Sequence, residues 1–428
     1  VTATDAPLVG SANRIVDVRT GTITTWAELA ATPVPAPAAV VVDSSFAALG
    51  AVKTHAQSGA EFLVVAAGRM EANLRAELRE AGFAVVSPDG SVEDASAPRA
   101  AEDGRLWLLT SGSTGRPKRI GHTLDSLTTV AGDMKPRVWL CPYSPGTYAW
   151  WQVVTLGLGS AGQDLVVVDP SDLDSWVAAA VEHRVTAASG TPTFWRQTMM
   201  AHGELLAQVP LEQISLGGEP VDQAVLDQLR VFFPAARISW IYASSEVGAS
   251  IVVHDGRAGF PVEWLSEPSE RSEEVELSRD PEPVEMSERE RPAFWIEDGE
   301  LIISSPHHGV GLDGAVRTGD AVVVDDGRVL ITGRLNSDEI NVGGAKVSAG
   351  VVRGVLTSHP DVAWAHVRGR KSPLVGNLVV AEVVLNSGES DRDATAGVVE
   401  ELKVWSAERL PEYGVPRMIK VLAEIPAK

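Results

Sequence analysis

Between residues 38 and 242 the chain repeats one pattern, in which a short apolar run is followed by a longer amphipathic stretch. The runs at 39–42, 62–66, 106–110, 138–141, 165–168, 185–188, 214–216 and 238–242 are short and continuous, so they read as strands buried on both faces. Helical periodicity fills several of the gaps, at 124–134, 148–158, 173–183, 193–201 and 221–233. Strand and helix in alternation require crossovers, which are right-handed and lay helices on both faces of a parallel sheet. The pattern therefore predicts an α/β domain built on parallel-rich sheets.

After residue 293 the pattern changes to short, Gly-punctuated strands at 301–304, 321–324 and 329–332, followed by a polar stretch at 333–344. Helix 348–358, strands 363–367 and 378–384, helix 395–409 and strand 418–422 then predict a small α+β unit. We place a large domain at 1–334 and a small one at 335–428, with a hinge at 333–338. The acidic, Pro- and Ser-rich run at 265–292 reads as a solvated loop.

A net charge of −21 argues against nucleic acid or an anionic membrane as a partner of the whole surface. It leaves room for a phosphate compound held in a local loop. Cys141 is the single cysteine, so no internal disulfide is expected, and its setting (VWLCPY) suggests a buried, inert thiol. No apolar run approaches the ~18 residues that span a bilayer, and a cytoplasmic protein is expected.

Gly157, Gly159 and Gly162 (GLGSAG) match dinucleotide-binding spacing, but they follow a helix and precede a strand. That order is the reverse of what phosphate at a helix N-terminus requires, so a tight helix-to-strand turn is the better reading. The stretch 110–118 (TSGSTGRPK) follows a strand and combines glycines, hydroxyls and a lysine. Glycine allows close backbone approach to an anion, and hydroxyls and amides donate to its oxygens. It lacks the Walker spacing, and by itself it is equally consistent with an exposed turn.

Four further segments follow in order: LGGEP (216–220), YASSEVG (242–248), RTGD (317–320) and GRLNSDEINVGGAKV (333–347). Together the five resemble the adenylate-forming superfamily of acyl-CoA synthetases, aryl-acid ligases, adenylation domains and luciferases. The likeness runs from about residue 105 to the end of the sequence. GTPTFW (190–195) and PGTYAWWQ (145–152) are similar to stand-alone bacterial acid ligases.

The resemblance implies a large domain with a small β-barrel-like part and a mobile small domain. It also implies a reaction in which a carboxylate attacks the α-phosphorus of ATP and pyrophosphate leaves. By the same resemblance Thr110, Ser111, Gly112, Ser113, Thr114, Gly115 and Lys118 form the loop over the β- and γ-phosphates. Ser245 would donate to the α-phosphate, and Glu246 would hold Mg²⁺. Asp320 would accept from the ribose hydroxyls with Arg334 nearby, while Gly217, Gly218, Glu219, Tyr242, Ala243 and Ser244 would bracket the nucleotide. Thr114, Ser245, Glu246 and Arg334 are the catalytic candidates.

The position where amino-acid-activating relatives carry an aspartate is Thr147, so an acid without an α-amino group is expected. Tyr148, Trp151, Phe194 and Gly218 would complete its pocket, unless the aromatics are simply core. Asn336 stands at the hinge position, where Asp or Lys is usual, and Gly343 and Gly344 would let a pantetheine arm pass. The family's lysine near the C-terminus lies in a Gly-Lys pair, whereas this sequence closes on EIPAK and Lys428 follows alanine. Two readings stay open. One is an acid–thiol ligase using CoA, or a carrier protein in trans; the other is a protein that binds nucleotide or acyl-adenylate without full adenylation.

Overall fold

The computed structural model describes residues 8–426 except 111–117, 131–133, 170–174, 267–291, 307, 313, 336–337, 343–344, 373–375 and 387–391. An eight-stranded sheet runs, in spatial order, Gly248–Val253, Arg237–Ser244, Gln213–Gly217, Ala187–Gly190, Arg137–Cys141, Gln163–Val167, Arg14–Asp17, Thr22–Thr25. Its inner pairs are parallel, and the outer pair at each edge is antiparallel. A six-stranded sheet follows the order Val92–Glu93, Ala84–Val86, Ala38–Val42, Phe62–Ala66, Leu106–Thr110, Lys118–His122. Here too the central strands are parallel and the edges antiparallel. Central strands such as AAVVV are buried throughout, while edge strands such as TITT and KRIGH carry polar residues that discourage further pairing.

Helices Ser45–Ser58 and Tyr148–Gly159 fill the space between these sheets. Leu49, Val52, Trp150, Trp151 and Val154 pack with Ile15 and Leu165 of one sheet and Val40, Phe62 and Leu106 of the other. Local chemistry fixes the ends of the first helix. The Ser44 hydroxyl accepts from the Ala47 amide at 3.1 Å, and Gly59 closes the helix at φ 68°. The opposite face of the eight-stranded sheet carries helices Trp176–Glu182, Pro192–Leu206 and Gln223–Phe232. A five-stranded antiparallel sheet joins that core, in the order Phe260–Pro261, Arg328–Arg334, Ala315–Asp325, Glu300–Ser304, Ala293–Glu297.

The small unit has its own core, formed by strands Glu339–Val342, Ala345–Ser348, Val362–Ser372, Gly376–Leu385 and Met418–Leu422 with helices Ala349–Thr357 and Arg392–Arg409. Its first helix presses on strand Arg328–Arg334 of the preceding sheet. A Cβ added to Gly350 would lie 1.3 Å from the Thr332 carbonyl oxygen.

The helix expected at 124–134 is a single turn, Leu124–Leu127, because Thr128 turns extended at φ −95° and ψ 91°. The Thr129 hydroxyl leaves the helix to bond Gln152 instead. The expected helix at 193–201 runs on to Leu206, with a kink at His202. The glycines of GLGSAG form the helix-to-strand turn that the sequence suggests. Asn13 stitches it, donating to the Gly157 carbonyl at 2.7 Å and accepting from the Gly162 amide at 2.7 Å. Cys141 is buried, and burial pushes its thiol up to about 12. Among the described residues no helix is long and apolar enough to cross a membrane.

Candidate active site

Two of the motifs are tips of β-hairpins at sheet edges. Thr110 and Lys118 are register partners on the antiparallel pair Leu106–Thr110 and Lys118–His122, so the phosphate-loop motif closes that hairpin. Ser111, Gly112, Ser113, Thr114 and Gly115 lie outside the described residues. In the eight-stranded sheet Ser244 pairs with Gly248, which places Ser245, Glu246 and Val247 at the second tip. The Ser244 hydroxyl accepts from the Glu246 and Val247 amides, each at 3.2 Å, and tightens the turn. Ala243 precedes it, beside a register shift between Tyr242 and Ala243.

The base of the first hairpin meets the tip of the second through a side chain that none of the motifs contains. His122 is fully buried at the end of strand Lys118–His122, with Nε2 at 2.8 Å from the Ser245 carbonyl and Nδ1 at 2.9 Å from the Ser126 hydroxyl. A third segment closes the junction: the Gly309 amide donates to the Glu246 carbonyl at 2.9 Å, and the Val310 amide to the Gly121 carbonyl at 2.7 Å. Gly309 is required there, since a Cβ would stand 2.3 Å from the Ile120 side chain. A lone histidine after a lysine-bearing loop carries no spacing signal of its own, so only the fold reveals this contact.

Asp320 is the centre of the second cluster. Tyr242 donates its hydroxyl to Asp320 Oδ2 at 2.5 Å, and the Arg334 guanidinium lies 3.0 Å from Oδ1. Burial raises the Asp320 carboxyl above its usual value, against the opposing pull of Tyr242 and Arg334. The same burial, with the Asp320 charge beside it, raises the Tyr242 phenol and keeps it a donor. The Gly319 amide donates to buried Glu300 at 2.8 Å, and Arg317 pairs with that carboxylate at 2.6 Å. The RTGD segment is thus held from behind through Glu300. Arg334 also donates to the Thr318 carbonyl at 2.6 Å.

Gly218 has φ 77°, a left-handed conformation that suits glycine, and a Cβ on Gly217 would stand 3.1 Å from the Ile241 carbonyl. Glu219 accepts from the Thr193 amide and hydroxyl at 3.1 and 2.6 Å, tying this turn to the start of helix Pro192–Leu206. Among the described residues the half-buried Glu246 carboxylate has no hydrogen bond or ion pair. A lone carboxylate suits Mg²⁺, which keeps waters and shares phosphate oxygens instead of using an all-protein cage. The one set of metal-type side chains brought together among the described residues, His359, Asp361 and Glu401, lies in the small unit.

The expected acid pocket separates into different roles. Thr147 caps helix Tyr148–Gly159, its hydroxyl donating to the Ser144 carbonyl at 2.8 Å and accepting from Trp150 at 3.3 Å. Tyr148 accepts from the Ala249 amide at 2.9 Å, so its ring braces the second hairpin. Trp151 is fully buried against Trp150 and Phe62, and Phe194 stacks on Trp176 at 5.2 Å between centroids. Trp151 therefore sits in the core, the plainer of the two sequence readings. Asn336, Gly343, Gly344 and Lys428 lie outside the described residues.

Comparison with known proteins places these motifs in context. Residues 29–307 match the AMP-binding enzyme family, and residues 354–428 match the AMP-binding enzyme C-terminal domain. Mitochondrial malonate–CoA ligase of Homo sapiens is 34% identical over 148 residues, covering 32% of this chain and 25% of that protein. Acetyl-coenzyme A synthetase of Rubrobacter xylanophilus is 25% identical over 366 residues, 76% of this chain and 54% of that protein. The chain thus spans about half or less of these relatives' length. The anthranilate CoA ligase AuaEII, solved with anthranoyl-AMP, superposes with a TM-score of 0.69 at 14% identity, covering 100% of this chain and 96% of that one. ATP-bound MatB from Rhodopseudomonas palustris gives 0.64 at 17% identity, covering 99% and 94%. With both sheets, both hairpin tips and the small unit in the expected order, the chain belongs to the AMP-binding enzyme family.

Proposed function

We propose that the chain activates a carboxylic acid lacking an α-amino group as acyl-AMP and then passes the acyl group to a thiol, CoA being favoured. The observation that carries this reading is the junction between the base of the first hairpin, at His122, and the tip of the second. It brings the strand bearing Lys118 and the loop bearing Ser245 and Glu246 into direct hydrogen-bond contact. Two anions must meet in the first step, so fixed donors and cations aimed at the phosphates contribute most of the catalysis.

The residues take the following parts. Lys118 and the loop it closes hold the β- and γ-phosphates, and Ser245 donates to the α-phosphate. Glu246 would hold Mg²⁺, which when bound neutralises phosphate charge. Asp320 accepts from the ribose hydroxyls, for which each of its oxygens keeps a second lone pair beside Tyr242 or Arg334. The acid's carboxylate oxygen bonds to the α-phosphorus as the bond to the bridging oxygen breaks and pyrophosphate leaves. A thiolate then attacks the acyl carbon, and AMP departs with the oxygen.

No carboxylate stands at Thr147 to pair with a substrate ammonium, which supports the restriction to acids without an α-amine. The test is pyrophosphate release with ATP, Mg²⁺ and a panel of aliphatic, aromatic and α-amino acids. The productive acid is then offered CoA or a phosphopantetheinylated carrier. Release with α-amino acids alone would overturn the substrate class. Release with no acid, alongside binding of preformed acyl-AMP, would leave only an adenylate-binding protein.

A further inference from the structure

Three segments converge behind the phosphate site, and a single side chain joins two of them. The Ser245 carbonyl can only accept, so the His122 ring nitrogen 2.8 Å away must carry a proton. In the neutral ring Nδ1 is then bare and accepts from the Ser126 hydroxyl at 2.9 Å. Ser126 is itself fixed by the capping box of the following helical turn, where it accepts from the Thr123 amide at 3.0 Å. The ring thus has one tautomer consistent with both neighbours. It is fully buried, 6.1 Å from the Tyr148 ring, and has no exposure through which to touch a substrate.

We infer that His122 is a positioning residue: its neutral ring, protonated at Nε2, holds the Ser245 carbonyl and so sets Ser245 and Glu246 in register with the strand that carries the phosphate loop. The Glu246 backbone is gripped on both sides, by His122 through the preceding carbonyl and by the Gly309 amide at its own carbonyl. Among the described residues the Glu246 carboxylate has no hydrogen bond or ion pair. Burial lowers the pKa of the ring, countered by its bond to Ser245, and the charged neighbours are Arg105, Glu246 and His308. The ring therefore stays neutral where an exposed histidine would titrate, at about 6.5.

This inference rests on the adenylation reading for its kinetic test but not for its spectroscopic one. His122→Phe keeps the bulk and removes the donor, whereas His122→Gln returns a donor at similar reach. We expect H122F to weaken Mg²⁺-dependent adenylation about 10- to 100-fold, mainly in the KM for Mg·ATP, and H122Q to recover most of the loss. Thioester formation from synthetic acyl-AMP, which keeps the α-phosphate but lacks the β- and γ-phosphates, should fall several-fold less than adenylation in both. Wild-type adenylation by H122F, or an equal fall in both half-reactions together with Tm, would overturn the inference.

The second readout is the ¹⁵N spectrum of the histidine rings in the full chain. It should show a His122 ring in the Nε2–H form that remains neutral below pH 6.5, at about the value where exposed rings protonate. Ordinary titration would overturn the brace even in a protein that activates no acid. That last outcome, with the expected spectrum, would sink the ligase reading and leave the brace standing.

Discussion

At the scale of single residues, Asp320 carries an electrostatic cost that only a ligand recovers. Its folded pKa lies above the unfolded one, so its contribution to stability is full below the unfolded value, near 4, and is lost as pH rises through the folded value. Asp320→Asn removes that cost at neutral pH. We expect an unchanged or higher Tm by calorimetry, together with loss of nucleotide binding by about 10²-fold or more. His122 has the opposite sign: its contribution is present above about pH 6.5 and is lost as pH falls through the lower folded value. Trp151 gives a contrasting prediction. Trp151→Ala should destabilise by about 3–5 kcal/mol in denaturant melts, and any surviving enzyme should keep its order of preference among acids. Asp320 and Glu246 could be singled out as candidates from the sequence because each sits in a short ordered motif. His122 was not, since its role depends on a contact 123 residues away in sequence.

At the scale of elements, the buried parallel strands were the most legible part of the chain. Runs such as AAVVV and FLVVA are apolar throughout because both faces are covered, and the observed strands fall within about two residues of the expected ones. The antiparallel edges were not read, because KRIGH and TITT mix polar and apolar residues over too few positions for a period to emerge. These edges make the site, since both hairpin tips close there. The apolar spacing predicts a helix longer than Leu124–Leu127 because it continues past a threonine pair, of which Thr128 bonds back to the Leu124 carbonyl and Thr129 bonds Gln152. Tyr148 joins two elements, and Tyr148→Phe tests that directly. Leaving the Ala249 amide without its acceptor should cost about 1–3 kcal/mol, measured by chemical denaturation, without the larger loss expected for a core truncation.

At the scale of the whole molecule, the small unit has its own core and, among the described residues, meets strand Arg328–Arg334 and helix Pro192–Leu206. Helix Ala349–Thr357 rests on strand Arg328–Arg334, and the Gln197 side chain donates to the Pro426 carbonyl at 3.5 Å. We expect this unit to change orientation between half-reactions, as the family resemblance implies. Gly350 sets the terms of that change. Its hydrogen alone separates the helix backbone from the Thr332 carbonyl, so this seating tolerates no methyl group. Gly350→Ala would act as a wedge that penalises one orientation and leaves others untouched, and each 1.4 kcal/mol of penalty shifts their ratio about tenfold. Distance distributions between labels on the two units should move toward the alternative seating. The two half-reactions should then respond in opposite directions, and one glycine would serve as the setting of a two-position switch.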